Sequence, residues 1–500
     1  MNDLILSMML LGTAGTGGQQ LPFWATSNQF GLMPESSGAM ALVQAEKPYE
    51  YGRTWQWHCG ASLAANATAG TGSNDSKTLE LSSLMVDEMY AGVRWKCLEL
   101  DLGPKRRQLD FMASDPSLGS LSLTGGHVAE SGNARTMPGY TGTLSPVAVP
   151  WTHDKLWLYG AYGDYTTIDT RYVQDALVHR TRLGLRYDIT EKLAFHLMLD
   201  HYAIWGGHHP TKQDIKVNLE NYLRVVTGHS AGEDGTDSDR FNVIGDQGGG
   251  ELLRLEYHGD GWNVEFQHDI PYADGSGMGF QNFPDGINTI HFSWNHKNRW
   301  ISDIVYEYHY TMYQSGTFQT EIFDENGNSL TPKGVSTTGG DNYFNNGYYR
   351  SGWTHFGRPI GTPLCFPDGS HAGTWTSDGI TLGLESNRYQ AHHLGLSGKL
   401  WTRHPYRLML TWSRNHGTYG KTYIGPSQWN HKWGTVDEQG LWQFSAGYNG
   451  YIYLCSAGDT DCIGSGSARR VLAIVYGLYY DCGELLPSNF GATLGIRYTL

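Results

Sequence analysis

The sequence predicts an all-β fold: a single transmembrane antiparallel β-barrel of about 16–18 strands, with short helices plugging the lumen or in loops. Three observations predict it. Apolar and polar side chains alternate with period two over segments of about ten residues, twice the usual strand length and enough to cross a bilayer at a tilt. Composition is 39% hydrophobic and only 17% charged, with 31 Tyr, 17 Trp and 65 Gly. Aromatic girdles and glycine-rich turns account for those excesses. The last alternating segment runs to residue 500, as a strand that closes a barrel and leaves no free edge must. The soluble alternative is a large all-β carbohydrate-active domain, which shares the Trp, Tyr and Gly content.

The clearest segment is 179–205. Thr181, Leu183, Leu185, Tyr187 and Ile189 share one parity, and Arg180, Arg182, Gly184, Arg186 and Asp188 the other. After the polar connection 188–192, Leu193, Phe195, Leu197, Leu199 and Ala203 oppose His196, Asp200 and Tyr202. Lipid takes the apolar parity, and a wet lumen takes the arginines.

From the N-terminus, 1–19 reads as a possible signal peptide or a residual N-terminal segment: an apolar core at 4–11, then small residues. Residues 20–500 form one barrel with internal plug and loop elements. The stretch 34–51 has short helical character at best. Strands follow at 54–64, 79–86 and 91–97, then a polar connection at 101–115. A shorter strand is expected at 118–124, and 125–150 reads as loop. Strand 155–165 precedes the opening pair. At 211–228 the period changes to 3.6 through Ile215, Leu219, Tyr222, Leu223 and Val226, with Asp214 to cap and Gly228 to terminate. This helix is expected as a plug or a loop element. Hairpins at 251–270, around Gly259-Asp260-Gly261, and at 289–313 follow. The irregular stretch 314–386 is long enough to suggest function. Strands at 390–400, 405–414, 441–454, 469–480 and 489–500 complete the set.

Net charge is −14, which argues against a nucleic-acid partner. No run of 18 apolar residues follows the N-terminus, so no transmembrane helix is expected. Of six cysteines, Cys455 and Cys462 bracket a short loop that a disulfide could close. Cys59 and Cys97 fall on apolar parities, and no CxxC spacing suggests zinc.

Several pieces resemble the Wzi-type capsule-assembly family in its Bacteroidetes form. They are LPFWATSNQFG at 21–31, DLGPKRR at 101–107, SLGSLSLTGG at 117–126 with SGNAR at 131–135, ENYLRVVTG at 220–228, YYRSGWTHFGRPIGTPL at 348–364 and NRYQAHHLGLSG at 387–398. Their order and spacing carry the resemblance, which covers most of the chain. It implies a Gram-negative outer-membrane barrel that binds capsular or other surface polysaccharide without catalysis. Surface-assembly or export machinery is a possible partner, beside outer-membrane lipid.

Two residue sets are candidate glycan sites. Arg180, Arg182 and Arg186, with Arg94, Lys96 and Arg254, could hold carboxylates or sulfates of an acidic polysaccharide bidentately. The net charge of −14 favours the other reading, that these arginines pair with Asp188, Asp200, Glu256 and Glu265 and fill the barrel. Tyr348, Tyr349, Trp353, His355 and Arg358 could stack on and hydrogen-bond a sugar. The bland reading of this second set is a loop packed in the lumen. The doublets His208-His209 and His392-His393 point to opposite faces if in strands, so no metal site is expected, and no cofactor. His196 and Asp200 stand about 13 Å apart along a strand, too far for a direct catalytic pair. No GxSxG elbow occurs. A saccharide pore and a membrane-embedded hydrolase remain as alternatives.

Overall fold

The computed structural model describes residues 4–16, 20–50, 52–71, 77–230, 243–273, 282–316, 341–367, 380, 382–401, 403–423, 439–455 and 471–500. Eighteen antiparallel strands close into one barrel. They begin with β1 (Ile5–Gly15), β2 (Gly38–Lys47), β3 (Trp55–Thr71), β4 (Lys77–Trp95), β5 (Leu98–Leu102) and β6 (Gly139–Ala148). The wall continues through β7 (Leu156–Thr166), β8 (Leu177–Asp188), β9 (Leu193–Trp205), β10 (Asp246–His258), β11 (Trp262–Tyr272) and β12 (Gly286–Trp294). After β13 (Asp303–Tyr310), a two-residue pair β14 (Thr354–His355) and β15 (Arg358–Pro359) lies off the wall. The wall resumes with β16 (Tyr389–Lys399), β17 (Pro405–Asn415), β18 (Leu441–Cys455), β19 (Val471–Gly483) and β20 (Asn489–Thr499).

Each wall strand pairs with its neighbour in sequence, and β1 pairs with β20 through Met8↔Tyr498 and Leu10↔Ile496 to close the ring. Residues 5–15, within the stretch 1–19 expected as a possible signal peptide or residual N-terminal segment, form this wall strand. Met8 and Leu10 project outward, while Ser7 and Leu11 are buried inside. The outward parity predicted for 179–205 and 489–500 holds. Leu183 is 60% and Leu494 66% exposed, as befits side chains meant for lipid rather than water.

Two ends differ. At one, connections are short, such as Gly259-Asp260-Gly261, where Gly261 takes φ +92° to turn the hairpin. Residues 16–37, 103–138, 206–245 and 311–388 all leave from the other end. Three of these long connections send segments back inside. Helix α1 (Phe23–Thr26) is anchored by its own backbone and ring: Phe23 N donates to Asp481 Oδ2 at 2.8 Å, and Trp24 Nε1 to Thr411 Oγ1 at 3.2 Å. Residues 103–138 lie along the inner wall, with Leu121 and Leu123 wholly buried. Residues 341–367 pack on them, and Trp353 Nε1 donates to the Ala129 carbonyl at 2.6 Å.

Four local expectations change. Residues 38–47 are a strand, because β1 supplies an edge that needs a partner. Residues 139–148 are also a strand, despite their Gly, Thr and Pro content, because β5 and β7 flank them. By contrast, 118–124 alternates yet forms no strand. Its backbone groups are claimed by wall side chains: Leu123 N donates to Glu307 Oε2 at 2.8 Å, and the Leu121 carbonyl accepts from His393 Nε2 at 2.9 Å. Helix α2 starts late, at Leu219–Thr227. Asp214 is engaged by the His209 amide and the His208 ring, so Asn218 caps instead, accepting from Asn221 N. Gly228 ends the helix at φ +66°, as expected.

Cys59, Cys97, Cys365 and Cys482 are free thiols. The expected Cys455–Cys462 bridge lies outside the described residues.

Candidate lumenal binding chamber

Between the inner wall of β4–β10 and the internal segments lies a chamber of about 820 Å3. Among the described residues it is lined by nine cationic side chains: Arg94, Lys105, Arg106, Arg107, Arg135, Arg180, Arg182, Arg186 and Arg254. Four carboxylates face them, from Glu99, Asp101, Asp110 and Glu130. Trp353, Tyr159 and Tyr165 supply aromatic surface.

Register explains the arginine row. Arg182 of β8 stands opposite Asp200 of β9, and Arg186 opposite His196. Asp200 holds two guanidiniums. Arg180 grips it twice, Nε to Oδ1 at 3.1 Å and Nη2 to Oδ2 at 2.9 Å, and Arg182 Nη2 reaches Oδ2 at 2.6 Å. Arg186 Nε donates to Asp188 Oδ1 at 2.7 Å and is the most exposed of the three. The internal segment adds its own charges. Glu130 accepts from Arg107 Nη1 at 3.0 Å and touches Arg180, and Asp110 pairs with Arg254. Arg94 and Arg135 form no ion pair among the described residues. The arginines thus do pair with barrel acids: Asp87, Asp188, Asp200 and Glu256 behind the lining add to its four carboxylates, which leaves Arg94 and Arg135 as the cations without an ion pair among the described residues. Lys96 does not join them. It sits in the β4–β5 turn at φ +53°, over the Trp95 ring.

Burial sharpens the local electrostatics. Burial, with Arg182 alongside, lowers the Arg107 guanidinium to about 9. Burial also drives the His127 imidazole down to about 3, and Arg182 adds to that. Burial alone would raise the Asp110 carboxyl, but Arg254 and His127 more than reverse it and hold it well below the usual range. Desolvated cations that crowd one another favour any anion that comes between them.

The aromatic set is divided. Trp353 stacks face to face on Tyr202 at 3.8 Å and, though only 2% exposed, is part of the chamber's lining. Tyr348 and Tyr349 lie outside the chamber's lining, and their hydroxyls donate to the Gln213 and Gly206 carbonyls. His355 Nδ1 contacts the Arg135 carbonyl at 3.0 Å, and Arg358 reaches the Thr26 carbonyl and Glu35. These four brace the internal segments. Sequence reading missed Lys105, Arg106, Arg107, His127 and Glu130, which come from a stretch read as connection and loop. The signal was the KRR cluster just before the buried Leu121 and Leu123.

Other chemistry is thinly supported. His196 pairs with Glu256 at 3.3 Å, while Asp200 serves arginines, so the two do not form a dyad. His393 points inward and His392 outward, as a strand requires. Among the described residues one cluster has metal-ligand chemistry: His58, Glu99 and Asp101. The Lys105 ammonium lies 2.6 Å from Asp101 and 3.3 Å from Glu99, and so fills the cation position itself.

No protein-family model matches the chain, and no curated protein matches it in sequence. Solved structures do. The Escherichia coli outer-membrane protein Wzi, described as a carbohydrate-binding β-barrel involved in group 1 capsule assembly, aligns at TM-score 0.52 with 14% identity, over 98% of this chain and 83% of its own. Pseudomonas aeruginosa OpdL aligns at 0.42 with 9% identity, over 99% of this chain and 97% of its own. OprD of the same organism aligns at 0.41 with 11% identity, over 100% of this chain and 96% of its own. The likeness to Wzi is one of fold, an outer-membrane β-barrel.

Proposed function

We propose that this barrel sits in the outer membrane of a Gram-negative bacterium and holds an acidic surface or capsular polysaccharide, without catalysis, in its lumenal chamber. Long loops face the cell exterior in barrels of this kind and short turns the periplasm. The chamber belongs to segments that enter from the long-loop end. One observation carries the reading: nine cationic side chains line one space of about 820 Å3, and two of them, Arg94 and Arg135, form no ion pair among the described residues. Guanidiniums grip uronate carboxylates or sulfates in pairs. The Wzi likeness points the same way, since that barrel is described as carbohydrate-binding. Arg180, Arg182, Arg186 and Trp353 face the sugar; Tyr348, Tyr349, His355 and Arg358 hold the wall behind it.

The test is calorimetric titration of the purified barrel with a uronate-containing oligosaccharide and a neutral one of equal length. The acidic chain binds, and binding weakens as salt rises. Arg94→Gln with Arg186→Gln lowers affinity about tenfold or more, roughly 1.4 kcal/mol, while the barrel stays folded. Equal binding of the neutral chain, or no change in the variant, removes the chamber as the site. Steady conductance at neutral pH in planar bilayers would favour a saccharide pore instead.

A further inference from the structure

Helix α2 does not plug the lumen. It lies on the outside of the wall. Leu183 and Tyr187 mark the outward parity of β8, and His179 shares it. Leu158 marks the outward parity of β7, and Asp164 shares that. In register, Tyr140, Asp164 and His179 form a polar row across three strands, continued by Ala203 and Gln247. Polar groups on a lipid-facing wall are costly unless covered.

Tyr222 of α2 covers them. Its hydroxyl donates to Asp164 Oδ2 at 2.7 Å, and its ring meets His179 edge-on at 5.9 Å. His179 is fully buried although it points away from the lumen. On the flank beside Tyr222 the helix carries Leu219, 73% exposed, and Leu223, 53% exposed, with Val217 just before it at 61%. That is the signature of a helix lying in a membrane interface. Between α2 and the wall runs a groove of about 610 Å3, lined by Leu177, Trp205, Val217, Leu219 and Tyr222. Leu177 lies on the same face of β8 as Leu183, so the groove opens on the outer surface, above the polar row at His179 and Thr181.

We propose that this groove seats one acyl chain of a phosphorylated glycolipid of the outer leaflet. The groove opens at the long-loop end, which faces that leaflet. The segment leading to Val217 carries two exposed lysines, Lys212, whose Nζ lies 5.8 Å from the Tyr348 ring, and Lys216, and so adds positive charge at this end of the barrel. An anionic headgroup above an apolar slot suits a phosphorylated lipid rather than a neutral one.

Native mass spectrometry of the full chain in detergent tests this, with rough lipopolysaccharide and dipalmitoyl phosphatidylethanolamine as probes. One lipopolysaccharide per barrel is expected to persist under conditions that strip phosphatidylethanolamine. Val217→Glu with Leu219→Glu weakens that retention at least tenfold, and a carboxylate in the first helical turn does not disfavour the helix. Lys212→Ala with Lys216→Ala gives an independent arm, expected to weaken lipopolysaccharide but not phosphatidylethanolamine. Equal retention of both lipids means ordinary annular contact and overturns the proposal. So does unchanged retention in either folded variant, judged by heat-dependent gel mobility. If the double Glu variant fails to fold, the lysine arm decides alone. Saccharide titration should be unaltered in all of these variants, which separates this site from the chamber.

Discussion

Asp200 is the most consequential single residue of the chamber. Its carboxylate is buried and holds Arg180 and Arg182 together. Removing one partner of a buried pair leaves an uncompensated charge, which costs about 3–5 kcal/mol. Asp200→Asn is therefore expected to lower barrel stability by about that amount, read as an earlier midpoint in urea unfolding from vesicles. Arg186 behaves differently. It is more exposed and paired only with Asp188 on its own strand. Arg186→Gln should cost less than about 1 kcal/mol of stability while still weakening acidic saccharide.

The internal segments are held by wall carboxylates that accept backbone N–H groups. Glu307 takes Ser122 Oγ at 2.6 Å and Leu123 N at 2.8 Å; Asp269 takes Val128 N at 2.7 Å. These bonds do for 118–128 what a neighbouring strand does for a wall segment. Glu307→Gln weakens that clamp, leaving buried donors poorly matched at a cost of about 1–3 kcal/mol. Faster hydrogen exchange is expected across 118–128, with exchange in β13 itself unchanged. Trp353→Ala empties a buried site beside Tyr202 and orphans the Ala129 carbonyl. About 3–5 kcal/mol should be lost from the same segment. Equal acceleration of the whole barrel in either variant would mean that wall and internal segments open as one unit.

At the scale of the whole molecule, acid should loosen the contents of the lumen before it opens the wall. Burial holds His127 at about 3 and His355 at about 4. A released histidine titrates near 6.5. Between those values the opened segments take up protons that the closed ones refuse. The contribution of these two imidazoles to holding the internal segments is therefore complete above about pH 6.5 and is lost as pH falls toward 4. Burial pushes Asp285 up to about 6, so in the folded state it gains its proton early and offsets about one of the two. Current traces in planar bilayers should be quiet at pH 7 and show openings near pH 4. His127→Gln should reduce that response, and an unaltered response would remove His127 from this role.

Much of this was legible in the chain. Period-two alternation identifies the wall wherever lipid and lumen take opposite parities, so Leu183, Phe195 and Leu494 could be placed before any coordinates, and so could the inward arginines. A strand whose partner is distant carries little mark of its own. Neither 1–19, with its apolar core, nor 34–51, with short helical character at best, reads as strand, because what makes 5–15 and 38–47 strands is β20 and each other, brought together only when the ring closes. The alternation at 118–124 misleads for the opposite reason: its hydrogen-bond partners are side chains of β13 and β16, not a strand. The outward docking of α2 was equally out of reach. An amphipathic helix announces that one face is covered, whereas which side of a wall covers it depends on Asp164, His179 and Tyr222 meeting across long sequence distances. Local periodicity records what a residue needs around it, and only closure of the barrel decides which distant residue supplies it.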